Sequence, residues 1–135
     1  MYERFASHYI YYNGKIYPLH YIEVDDSGCI KGVYPLMEEI AGTVFCNGFI
    51  IVVPKSISEE KLRTSWSVLQ NVYSYTDLGK ILIKEKFFLL ASPAEQIILY
   101  QLKHSSSEFS TCNSCSNGDI QRFGSFSIQR IVRNK

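Results

Sequence analysis

Charge of one sign, histidine clusters and long apolar runs are all scarce in this chain of 135 residues. Lys and Arg number 14 against 13 Asp and Glu, for a formal charge of +1. No broad basic field is therefore present to hold phosphates, and nucleic acid is not expected as a partner. Histidine is confined to His8, His20 and His104, none within four residues of another. A three-histidine zinc centre would have to collect them from two strands and a loop, so the expectation is two strand residues at sheet edges and one solvated ring. The opening MYERFASHYIYYNGK lacks the apolar stretch of a secretory signal, and no run approaches the ~20 residues that span a bilayer. A soluble, cytoplasmic chain without membrane association is expected, with its four cysteines as free thiols. No G-x-S-x-G elbow, G-x-x-x-x-G-K-[ST] or G-x-G-x-x-G cradle occurs, which leaves hydrolase and nucleotide readings without support.

Apolar and aromatic residues are plentiful: 46% hydrophobic and 14% aromatic, ten of them Tyr, against 20% charged. That composition predicts one globular domain with one core. Thr43 to Pro54, TVFCNGFIIVVP, is the most apolar run. Its consecutive β-branched and aromatic residues predict a central strand covered on both faces, with Asn47-Gly48 a turn or bulge that splits it. His8–Tyr12, Asn13-Gly14 and Ile16–Val24 read as a hairpin, with Pro18 at an edge or bulge. Asp25-Asp26-Ser27-Gly28 reads as a second turn, Cys29–Tyr34 as a third strand, and Pro35–Ala41 as a polar connection. Ser56 and Glu59 have capping-box spacing, and Leu62, Trp66, Leu69 and Tyr73 form one stripe, predicting a single helix from Ser56 to about Thr76 that lies on the sheet through Trp66. Ile81–Ile83, Phe87–Ala91, Ile97–Leu102 and Phe123–Val132 read as further strands, with a Ser-rich loop at about 104–118.

Two constellations carry possible chemistry. Cys112-Asn113-Ser114-Cys115 has the spacing of a zinc or redox pair, but no second such pair accompanies it, and it lies in the Ser-rich stretch rather than at a helix start. Cys112 and Cys115 are the only candidate metal ligands, and the preferred reading is a surface loop with no metal and no cofactor. Tyr9, Tyr11, Tyr12, Tyr17 and Tyr21 could form a stacking platform. Strand alternation instead puts Tyr9 and Tyr11 on one face and Tyr12 on the other, favouring packing within the sheet and at an interface. The carboxylate pairs Asp25-Asp26 and Glu38-Glu39 point apart on an extended chain and cannot form an acid/base dyad.

HYIYYNGKIYPLHYIEVDDSGCIKGVYPL followed by VFCNGFIIVVP resembles the amino-terminal β segment of the metal-dependent amidohydrolases, while LQNVYSYTDLG, Ile81–Leu102 and Arg130-Ile131-Val132 are similar to the last barrel helix and the returning strands of that superfamily. The resemblance implies a β-sandwich domain made of amino- and carboxy-terminal segments. It departs where the family has its metal-binding His-x-His, because Val53-Pro54 continues as Lys55-Ser56-Ile57, and 135 residues cannot hold a catalytic (β/α)8 barrel. The expected protein is thus mainly β, a small β-sandwich or partly open barrel built from residues 1–54 and 80–135 with one amphipathic helix on it. The expected role is a non-catalytic binding or assembly module, most simply a homodimer, with no catalytic residue. Two alternatives stand beside it: an amidohydrolase-related protein that cleaves C–N bonds with a partner supplying the metal site, and a zinc-binding Cys loop.

Overall fold

A computed structural model of the chain describes residues 2–38, 41–104, 121–123 and 125–131. The fold is mainly β. Strands β1 (Glu3–Tyr12), β2 (Lys15–Val24), β3 (Ile30–Pro35), β4 (Thr43–Pro54), β5 (Ile97–His104), β6 (Gln121–Phe123) and β7 (Phe126–Arg130) form one open mixed sheet in the order β3-β2-β1-β4-β5-β7-β6. Among the described residues, only β1 and β4 pair in parallel. The two terminal segments therefore share a sheet, and TVFCNGFIIVVP sits at its centre.

Local sequence explains the turns. Asn13 and Gly14 both take positive φ, 50° and 87°, as a type I′ turn requires, and join β1 to β2. Asp25 Oδ1 accepts from the Ser27 and Cys29 amides and the Ser27 hydroxyl, at 2.9, 3.0 and 2.6 Å, and Gly28 takes φ 91°. These bonds hold the Asp25 carboxyl well below the usual carboxylate range. Pro18 lies in β2 beyond the stretch that β3 pairs, so its missing donor leaves no gap in the ladder.

Three irregularities share one level of the sheet. In β4, Asn47-Gly48 inserts one extra residue between the pairs Ser7↔Cys46 and Tyr9↔Phe49; Gly48 has φ 89°, and Leu19 in β2 has φ 49°. The Asn-Gly pair is thus a bulge within a continuous strand, and it does not divide β4. Alternation changes phase here. Phe5 joins the buried cluster of Ile22, Val24, Cys46, Ile50, Val52 and Leu99, whereas Tyr9 and Tyr11 pack with the cluster that includes Phe49, Trp66, Leu78 and Leu82.

The sheet bends at that level. Gly28 O accepts from the Ile97 amide at 2.9 Å, Gln96 Nε2 donates to Ser27 O, and Cys29 bridges to Gln96, although β3 and β5 are far apart in strand order. One half of the sheet folds over the other and encloses the first cluster without closing a barrel.

Helices cover the outside of the other half, and here the expected single helix is corrected. Two helices form, α1 (Glu59–Val68) and α2 (Tyr75–Lys84), separated by a 3-10 turn at Leu69–Asn71 and by extended Val72. Ser58, not Ser56, caps α1 by accepting from the Lys61 amide at 3.2 Å, while the Ser56 hydroxyl donates to Glu95 Oε2 at 2.8 Å. Ser74 caps α2 through the Asp77 amide at 3.1 Å. Trp66 and Leu69 are buried, but Tyr73 is exposed because the helix has already ended and Val72 turns inward instead. Ile81–Ile83 belong to α2, with Leu78 and Leu82 buried one turn apart, so no strand forms there. Phe87–Ala91 is likewise not a strand. Lys86 and Phe88 hold left-handed φ of 51° and 57°, which breaks extension and sends the Phe88 ring against Trp66, with centroids 5.1 Å apart. Phe126 and Ile128 share the helix-covered cluster, and β6 and β7 pair antiparallel where one strand from Phe123 was expected.

Tyr11 ties the layers together. Its buried hydroxyl lies 2.6 Å from Phe87 O and 3.0 Å from Leu82 O, and burial pushes its pKa up to about 12. The folded pKa is raised, so this contribution to stability is complete below about pH 10, where the unfolded tyrosine begins to ionise, and is lost as pH rises through about 12. In Tyr11→Phe, alkaline denaturation followed by circular dichroism should lose part of that dependence. Stability at pH 7 should fall by about 1–3 kcal/mol, because the Phe87 carbonyl loses its donor in a buried site.

Candidate functional site

Among the described residues, neither helix covers the outer surface of the β4-β1-β2-β3 side of the sheet. Cross-strand partners share a face of the sheet, and the pairs Phe45↔Ala6, Ala6↔Tyr21 and Tyr21↔Tyr34 make one row across β4, β1, β2 and β3. Because Phe5 points into the enclosed cluster, Ala6 and its row face outward. Tyr34 lies over Gly32, where an added Cβ would collide with its ring, and sits 5.3 Å from the Tyr21 ring. His8, the next outward residue of β1, meets Phe45 edge-on at 5.1 Å. Leu19 stands opposite His8 and is 53% exposed, Phe45 is 38% exposed and Tyr34 40%. Met37, 86% exposed, follows Leu36, whose amide binds Leu19 O.

The neighbouring row, Thr43–Arg4–Glu23–Gly32, carries the charges of this surface, and they satisfy each other: Arg4 Nε donates to Glu23 Oε2 at 2.9 Å. The result is a pavement of rings and aliphatic groups with an internally neutralised border.

A second concavity, of about 800 Å3, lies between α1 and residues 85–91. Ile57, Val68, Phe87, Phe88 and Leu89 give it an apolar lining, with Lys61 on one wall and Lys86 on the other.

The expected site residues fall as follows. His8 is exposed, as a strand residue should be, but β1 is an inner strand, not an edge. His104 is not solvated: half-buried at the end of β5, it stacks on Phe126 at 4.8 Å and meets the tilted Tyr75 ring at 4.7 Å, and the Tyr75 hydroxyl accepts from its amide. Tyr9 and Tyr11 pack toward the helices, Tyr12 and Tyr17 against the enclosed cluster, and Tyr21 on the outer row. Cys112, Cys115 and the Ser-rich stretch lie outside the described residues. Among the described residues, no group of three or more His, Cys, Asp or Glu could hold a metal ion, and no helix is long and apolar enough to cross a membrane. Alternation counted outward from Phe5 identifies the outward row only once the phase change of β1 opposite the bulge is known. Compared with known proteins, the chain matches no family model, no curated protein and no solved structure.

Proposed function

We propose that this chain is a non-catalytic binding or assembly module that pairs with a second copy of itself through the outward row of rings. The observation that carries the reading is the half-covered sheet: α1 and α2 shield one part of the outer surface, and on the other part Phe45 and Tyr34 stay exposed on either side of buried Ala6, with no helix over them among the described residues. A second copy suits this surface. Its charges are already paired within the chain, so two copies meet without like-charge repulsion, and two sheets stacked about 10 Å apart would supply the missing layer of a sandwich. Descent of the sheet from an amidohydrolase β domain, and C–N bond cleavage with a partner that supplies the metal, rest on the resemblance alone.

Light scattering on the eluting protein tests the reading. At tens of micromolar the expected mass is that of two chains, and Phe45→Glu together with Leu19→Asp should return it to one, with circular dichroism unchanged. A wild-type chain of single mass, or a dimer that survives both substitutions, overturns it.

A further inference from the structure

We infer that Leu19 is the anchor of the self-association surface, a side chain held on strained backbone for contact with the second copy at a cost to the chain's own stability. The inference rests on the self-association proposed above and adds to it the residue that the surface presents.

Among the described residues, four other than glycine hold left-handed backbone: Asn13, Leu19, Lys86 and Phe88. Such backbone costs an L-residue free energy that glycine escapes, and asparagine tolerates it better than most. Three of the four offset that cost within the chain. Asn13 sits in the hairpin turn, and its side-chain oxygen accepts from the Leu90 amide at 2.9 Å. At Lys86 the reversal lets the Lys86 and Phe87 amides bond Ile83 O and Leu82 O, both at 3.2 Å, at a helix end that favours a cation. Phe88 places its ring in the core, 6% exposed and 5.1 Å from Trp66.

Leu19, with φ 49°, has no such compensation. Its carbonyl accepts from the Leu36 amide at 2.9 Å, a bond that any residue could make, and its side chain is 53% exposed and belongs to neither buried cluster. A glycine or asparagine here would keep the backbone bond and relieve the strain. Strain that the fold does not offset is found at contact sites, where it serves to present a side chain.

Position points the same way. β1 and β2 pair through Ser7↔His20 and Tyr9↔Pro18, so Leu19 stands opposite His8, which meets Phe45 edge-on, and on its other side Leu36 leads to exposed Met37. Leu19 therefore lies between the Phe45 and Met37 ends of the surface. In a two-fold dimer the same patch serves both chains, so one substitution removes the side chain twice.

Sedimentation velocity across a concentration series tests the assignment, together with urea unfolding followed by Trp66 fluorescence on chains dilute enough to sediment singly. In Leu19→Asn and in Leu19→Gly the dimer dissociation constant should rise roughly tenfold or more, while the urea midpoint of the single chain stays level or rises. Leu19→Met, apolar and of similar volume, should dimerise within about threefold of wild type. A wild-type chain that sediments singly at every concentration overturns the self-association itself and this inference with it. A wild-type dimer that neither Leu19→Asn nor Leu19→Gly weakens overturns the inference alone. A lowered urea midpoint in both variants does so too, because the side chain would then serve the fold.

Discussion

Gly48→Ala should cost the fold about 2–5 kcal/mol, measured as the unfolding free energy in a urea titration followed by circular dichroism. Two separate effects add. Gly48 has φ 89°, and left-handed backbone costs an L-residue roughly 1–2 kcal/mol. An alanine Cβ would also collide with the Leu102 carbonyl oxygen, a backbone atom of the adjacent strand that cannot swing aside, and would lie 3.0 Å from the Tyr75 hydroxyl. Overpacking of this kind costs a further ~1–3 kcal/mol. A domain of ordinary stability, about 5–15 kcal/mol, would lose a large part of its margin. Gly42→Ala is the control: φ is 79°, but nothing lies within 4 Å of the added methyl. Only the backbone cost should appear, about 1–2 kcal/mol. Equal losses at the two positions would show that the close approach of β4 to β5 at the bulge is not what Gly48 serves.

Trp66→Ala should be comparably severe, about 3–5 kcal/mol in the same titration. The indole is 3% exposed and packs against Phe88 at 5.1 Å and Tyr100 at 5.3 Å, so it joins α1, the 85–91 segment and β5 in one contact. Removing it leaves a cavity that three independent elements would have to close together. Because the Phe88 ring would lose the partner that holds it, the 85–91 segment should loosen as well. A loss under about 1 kcal/mol would mean that α1 rests on the sheet through other residues.

The parts of this fold that local chemistry decides were legible in the sequence. Asn13-Gly14 and Asp25–Gly28 specify their turns through positive φ and side-chain acceptors, and the β-branched run at Phe49–Val53 specifies a buried central strand. The helical region failed for a local reason too. Ser74-x-x-Asp77 is a capping signature, and Leu78 and Leu82 repeat at helical spacing, but the stripe from Leu62 to Tyr73 runs on past the end of α1 and masks the break. Lys86 and Phe88 could not have been foreseen, since neither residue type favours left-handed backbone and tertiary packing imposes it. The outward row was hidden for a third reason. Opposite the bulge β1 changes which of its residues face in, from Phe5 to Ile10, so period-two patterning reads correctly on either side of Ser7–Tyr9 but not across it, while β4 keeps Cys46, Ile50 and Val52 on one side throughout.

The order of strands has a consequence during synthesis. β1, β2, β3 and β4 lie within the first 54 residues, so β4 can pair with β1 as soon as it leaves the ribosome, but its other edge is met only by β5 at residues 97–104. At about 5–20 residues per second that edge stays open for several seconds. It belongs to the most apolar strand of the chain, which is the kind of ribbon that recruits a like strand from a neighbouring nascent chain. The capped helices α1 and α2 are made during this interval, but they pack on the face of the sheet through Trp66, Leu78 and Leu82, so the edge itself waits for β5.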